Sequence, residues 1–76
     1  MPSLQDAEKL IANIVSTQGW VGIRNGGVEI HIHGGISGQK FREIEKAAWQ
    51  QGLILDRIYY HRNSDALAIR FKKPED

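Results

Sequence analysis

A chain of 76 residues makes one small domain, and at this size only about 60% of the unfolded surface can be buried, so the core must be simple. The absence of cysteine excludes disulfides, cysteine-zinc sites and thiol nucleophiles, and a net charge of +1 excludes a general attraction to nucleic acid or acidic membranes, which only a segregated patch could supply. No apolar run approaches the roughly 18 residues of a membrane span and no signal peptide opens the chain, so the expectation is a cytoplasmic protein that does not enter the membrane.

Ser3 followed three residues later by Asp6 resembles a capping box, and Leu4, Ala7, Leu10, Ile11, Ile14 and Val15 lie on one helical stripe. A first helix is expected over about 4–17, ended by Gly19. Two runs of β-type residues follow, 20–24 and 28–33, joined by Asn25-Gly26-Gly27, and Asn-Gly is the strongest short hairpin signal. The second run is strictly alternating, with Glu29, His31 and His33 as its polar positions.

The same order then repeats. Ser37 caps a second helix, with Ile36 and Phe41 spaced as a hydrophobic staple, and Gly52 ends it. Its buried stripe is Phe41, Ile44 and Ala48, flanked by Glu45 and Trp49. Glu43 and Glu45 interleave with Lys40, Arg42 and Lys46, the pattern of a solvated helix face. A second hairpin, 53–61 and 66–72, turns around Arg62, Asn63, Ser64 and Asp65. The repeat units are about 3–34 and 36–72, with a tail at 73–76.

This α-β-β-α-β-β order points to a single α+β domain, a two-layer sandwich with a four-stranded antiparallel sheet and both helices on one face. It is a pseudo-twofold, permuted form of the ferredoxin-like order. Strand order 1-2-4-3 follows by that analogy, with the first strands central as the alternative. Since the core of so small a domain is marginal, a homodimer sharing apolar surface is also compatible with the sequence.

Alternation assigns the faces. Val21, Ile23, Val28, Ile30, Ile32, Ile58, Leu67, Ile69 and Phe71 point toward the helices. Trp20, Arg24, Glu29, His31, His33, Arg57, Tyr59, His61, Arg70 and Lys72 point away. Asp56 breaks the phase, since it shares parity with Ile54 and Ile58, so a bulge is expected near Asp56 and Arg57, turning Leu53 or Leu55 inward. The open face then carries four cations, three histidines, a tryptophan and a tyrosine against one carboxylate, Glu29.

Cations neutralise phosphates and flat rings stack on unpaired bases, so the first expected partner is single-stranded or structured nucleic acid, bound through Trp20, Arg24, His31, His33, Arg57, Tyr59, His61, Arg70 and Lys72. The alternative is a protein partner on the same face, with the chain as an adaptor, an inhibitor or half of a homodimer, because Trp, Tyr and Arg also anchor protein interfaces.

Three further patterns carry less. His31-x-His33 places two imidazoles on one side of a strand, with Glu29 one step further and His61 of the second hairpin as further ligand candidates for zinc or another transition metal, but two histidines at this spacing are equally surface groups of a sheet, and no cofactor is expected. Gly35, Gly38 and Lys40, in "GGISGQK", are candidates for an anion-binding loop before a helix, although the spacing is not that of a Walker A motif. Gly35-Ile36-Ser37-Gly38 with Phe41, Arg42 and Ile44 resembles the GxxG loop of KH domains over about ten residues, but that loop joins two helices and here a strand precedes it. Helix, "GW", a basic strand and a histidine-bearing strand are together similar to the HicA-type toxin ribonucleases. Their Gly-Ser-His segment falls on Gly27, Val28 and Glu29, so no catalytic histidine carries over. No Ser/His/Asp set and no paired buried carboxylates can be placed, and binding is expected in place of catalysis.

Overall fold

Ser3 accepts a 3.1 Å hydrogen bond from the Asp6 amide and starts helix α1, Leu4–Val15, in the computed structural model, which describes residues 3–74. The expected tail residues Glu75 and Asp76 lie outside the described residues. The chain continues through a 3-10 turn, Ser16–Gln18, into β1, Gly19–Arg24, and β2, Gly27–Ile32. Helix α2, Gly38–Gln50, then leads to β3, Ile54–His61, and β4, Ala66–Lys72. The four strands form one antiparallel sheet in the order β1-β2-β4-β3, so β2 and β4 are central. None of the helices among the described residues is long and apolar enough to cross a membrane.

Local chemistry explains most of the boundaries. The β1–β2 turn has Asn25 and Gly26 both at positive φ, 49° and 75°, the two-residue hairpin geometry that matches strand twist. Helix α2 ends in a paired C-terminal lock. The Gly52 amide, at φ +78°, donates to the Trp49 carbonyl at 2.9 Å, and the Leu53 amide donates to the Ala48 carbonyl at 3.0 Å. That lock drops Leu53 into the core, where it is buried.

Gly19 does something different from what its position suggests. Helix α1 stops at Val15, four residues short of it, and Ser16 takes the left-handed φ of 56°. Gly19 is the first residue of β1 and has extended backbone. A Cβ there would run into the His31 carbonyl, so β1 lies against β2 only because residue 19 has no side chain.

Ala7, Ile11 and Val15 of α1, Ile44, Ala47 and Ala48 of α2, Val28, Ile30 and Ile32 of β2, and Ile69 and Phe71 of β4 form one buried cluster with Leu53. Ile36 and Phe41, the expected staple, pack against it. Trp49 does not. It is 73% exposed, because it sits about 100° round the helix from Ala48 and off the stripe that reaches the sheet.

The sheet is wider than its cover. Ile23 and Ile58 stand opposite buried Val28 and Ile69 and so face the core side, as the alternation requires, but both are on edge strands and exposed. The bulge is where it was expected: Leu55 faces Phe71 and Arg57 faces Arg70, leaving Asp56 as the extra residue.

Candidate functional site

The sheet face turned away from the core cluster is organised in rows. Trp20, His31, Ala68 and Tyr59 lie side by side across β1, β2, β4 and β3; Gly22, Glu29, Arg70 and Arg57 form the next row, and Arg24, Gly27, Lys72 and Ile54 the one after. Small residues alternate with large ones, and this lets long side chains lie flat. A Cβ at Gly22 would fall inside the Trp20 indole, and one at Gly27 would press on the Arg70 guanidinium. Ala68 is buried although it faces away from the core.

Four rings follow one another over this floor. Trp20 meets His31 edge-on at 5.3 Å between centroids, His31 tilts over His61 at 5.0 Å, and His61 lies 6.4 Å from Tyr59. The Arg24 guanidinium sits 5.3 Å above the Trp20 ring, a cation-π placement. His61 is held by the hairpin turn, since its Nδ1 accepts from the Ser64 amide at 3.3 Å and lies 2.9 Å from the Ser64 hydroxyl. His33 is one residue beyond β2, exposed, and takes no part in the row.

Glu29 is the polar centre and is only 7% exposed. Its Oε1 accepts from the Tyr59 hydroxyl at 3.0 Å, and its Oε2 accepts from Arg24 Nη1 at 3.3 Å and lies 3.4 Å from His31 Nε2. Since a buried carboxylate without partners is costly, these contacts explain how it is accommodated.

A second carboxylate belongs to the face, and parity alone missed it. The bulge swings Asp56 onto the open side, where Oδ2 accepts from Arg70 Nε at 3.1 Å and Oδ1 lies 3.6 Å from Lys72 Nζ. Arg70 has its remaining donors on the backbone of the first hairpin, Nη1 to the Arg24 carbonyl and Nη2 to the Asn25 carbonyl, both at 2.9 Å. It ties β4, the bulge and the β1–β2 turn together. Arg70 and Lys72 are thus largely engaged within the protein, whereas the side chains of Arg24 and Arg57 are 59% and 66% exposed. A polar hollow of about 310 Å³ opens beside Arg57, lined also by Asn25, Glu29, Asp56, Tyr59 and Arg70.

The strand-to-helix loop is closed by Gln18 of the 3-10 turn together with Ser37 and Lys40. Lys40 Nζ donates to Gln18 Oε1 at 2.8 Å, Gln18 Nε2 donates to the Gly35 carbonyl at 2.6 Å, and the Ser37 hydroxyl accepts from the Lys40 amide at 3.1 Å. Gly34 and Gly35, both at positive φ, turn the chain from β2 onto α2. Lys40 therefore fastens α2 to the 3-10 turn. Among the described residues, no group of three or more His, Cys, Asp or Glu side chains could hold a metal ion, and His31 and His33 do not converge on one.

Both tyrosines resist ionisation. Tyr59 is raised above the ordinary 10.0, chiefly because its hydroxyl donates to the Glu29 carboxylate, with burial and the Glu29 charge adding to the effect and Arg57 and Arg24 opposing it. Tyr60 is raised chiefly by its hydrogen bond to Asp65. Tyrosinate absorbance should therefore develop above pH 10 for both. Glu29→Gln should bring one transition down and Asp65→Asn the other, and a single unshifted transition in the wild type would refute both contacts. The stability these bonds contribute is fully present below pH 10 and is lost as pH rises through the raised folded-state values.

Compared with protein-family models, curated proteins and solved structures, the chain matches none.

Proposed function

We propose that this protein is a small non-catalytic binding domain whose open sheet face takes single-stranded or structured nucleic acid. The observation that carries this reading is the row Trp20–His31–His61–Tyr59, bracketed by the exposed guanidiniums of Arg24 and Arg57. Trp20 is the exposed ring of the four, and a ring stacked on an unpaired base contributes about 1–3 kcal/mol, while exposed guanidiniums neutralise phosphates. Arg24 and Arg57 supply the phosphate contacts. Arg70 and Lys72 add positive field while holding Asp56, so the face keeps four cations against two carboxylates.

The reading assumes that one face of the sheet is free. Its support is the single core cluster, which draws side chains from both helices onto β2 and β4, and the strand order β1-β2-β4-β3, which suits a pseudo-twofold, permuted ferredoxin-like sandwich with both helices on one side. A protein partner on the same face is the second reading, favoured by the exposed Trp20 at its margin.

The test is a titration with pooled single-stranded RNA and DNA at low and moderate salt, following tryptophan fluorescence. Gly22→Ala should displace the Trp20 indole without touching the core and weaken binding about 5- to 150-fold, the equivalent of one lost stacking contact. Arg57→Ala should weaken binding across all sequences and reduce the salt slope by about 1. Absence of binding at low salt, or binding indifferent to salt and to both substitutions, would overturn the nucleic-acid reading and leave the protein partner.

A further inference from the structure

Strand β3 is the longest in the sheet at 8 residues and pairs on one side only, with β4. Edge strands are usually protected by inward-pointing charges, prolines, brevity or a bulge. β3 has no proline and no charge on its core side, and the bulge at Asp56 is its one such device. Leu55, Ile58 and Tyr60 stand opposite buried Phe71, buried Ile69 and half-buried Leu67, yet all three are exposed, Ile58 by 47%. They continue the hydrophobic layer past the edge of the helices.

We infer that β3 pairs antiparallel with β3 of a second copy of this chain, joining two four-stranded sheets into one of eight strands. The argument for a second copy is the self-complementarity that the bulge creates. In an unbroken strand, residues 55 and 58 point to opposite faces and cannot stand opposite one another across a twofold axis. The extra residue Asp56 puts Leu55 and Ile58 on the same face, and one register then satisfies both faces at once. On the core side, Leu55 of each copy meets Ile58 of the other. On the open side, Arg57 of each copy meets Asp56 of the other, giving two reciprocal ion pairs about the axis.

Arg57 is suited to this exchange, because its own Asp56 is 3.9 Å away and its side chain is 66% exposed. Asp56, whose side chain is 18% exposed, keeps its 3.1 Å bond from Arg70 and its 3.6 Å approach to Lys72 while the partner's Arg57 adds a third cation at its outer side. Such an interface is isologous: one patch supplies both halves. Strand β1, the other edge, offers no such match, since Gly22 and Arg24 occupy its polar face and it carries no bulge.

The experiment is the mass in solution as a function of concentration, by sedimentation equilibrium without nucleic acid, so that its outcome is independent of the reading of the open face. Wild-type protein should pass from monomer to dimer and no further. Ile58→Lys, which puts a charge on the core side of the edge strand at an exposed position, should be monomeric with an unchanged circular dichroism spectrum. Arg57→Glu, which sets like charges against Asp56 across the axis, should raise the dissociation constant at least tenfold. Ile23→Lys, the equivalent change on the β1 edge, should leave the dimer intact. A monomeric wild type up to millimolar concentration would overturn the inference. So would a dimer that survives Ile58→Lys or is broken by Ile23→Lys.

Discussion

Phe71→Ala should cost about 3–5 kcal/mol of folding stability, the range for removing a fully buried aromatic ring. Phe71 is the largest fully buried side chain, on central strand β4, between Val28 of β2 and Leu55 of β3. Both helices contribute to the cluster around it, so removing the ring opens a cavity in the core they share. A domain of 76 residues at about 0.05–0.15 kcal/mol per residue holds roughly 4–11 kcal/mol in all, so this one change removes a large part of it. Urea denaturation followed by circular dichroism reads the effect. Ile23→Ala, on the same side of the sheet but exposed, should stay within about 1 kcal/mol. Equal effects at the two positions would mean that the core is not centred where the cluster puts it.

Glu29→Ala should cost about 2–3 kcal/mol, although it removes a charged residue from the sheet face turned away from the core cluster. The carboxylate accepts from Tyr59 and Arg24, and hydrogen bonds to charged groups contribute roughly 1.5–3 kcal/mol each. The Arg24 share is discounted because that side chain is largely exposed and screened. The Tyr59 bond is the larger part, since both its partners are at least half-buried. The same substitution should lower the Tyr59 pKa toward its ordinary value. Thermal unfolding and tyrosinate absorbance on one sample separate the two effects. A change in stability below about 0.5 kcal/mol with Tyr59 unshifted would show that Glu29 is not the centre of this network.

The site was legible in outline for a definite reason. Period-2 alternation in "VEIHIH" and in "ALAIRFK" sorts side chains by face whatever the sheet packs against, so Glu29, His31 and Arg70 were assignable before any tertiary contact was known. Alternation cannot say which cations on that face are already engaged. Arg70 and Arg57 are neighbours in one row, yet the first has donors on Asp56 and two backbone carbonyls while the second is mostly exposed. The small residues Gly22 and Ala68 drew no reading from the sequence. Their meaning, a floor on which rings lie flat, depends on which strands adjoin.

By itself the sequence determined what short-range chemistry controls: the serine caps at 3 and 37, the Asn-Gly turn, the Gly52 helix end, the interruption at Asp56 and the two faces of each strand. All of these depend on backbone preferences and spacing within a few residues. Only the tertiary structure decided the rest. Ile58, on the core side of edge strand β3, was left exposed, the bulge carried Asp56 to the cationic face, and the closeness of β1 to β2 made Gly19 a strand residue in place of a helix stop. These outcomes depend on distances between segments far apart in the chain, and periodicity within a segment carries no information about them.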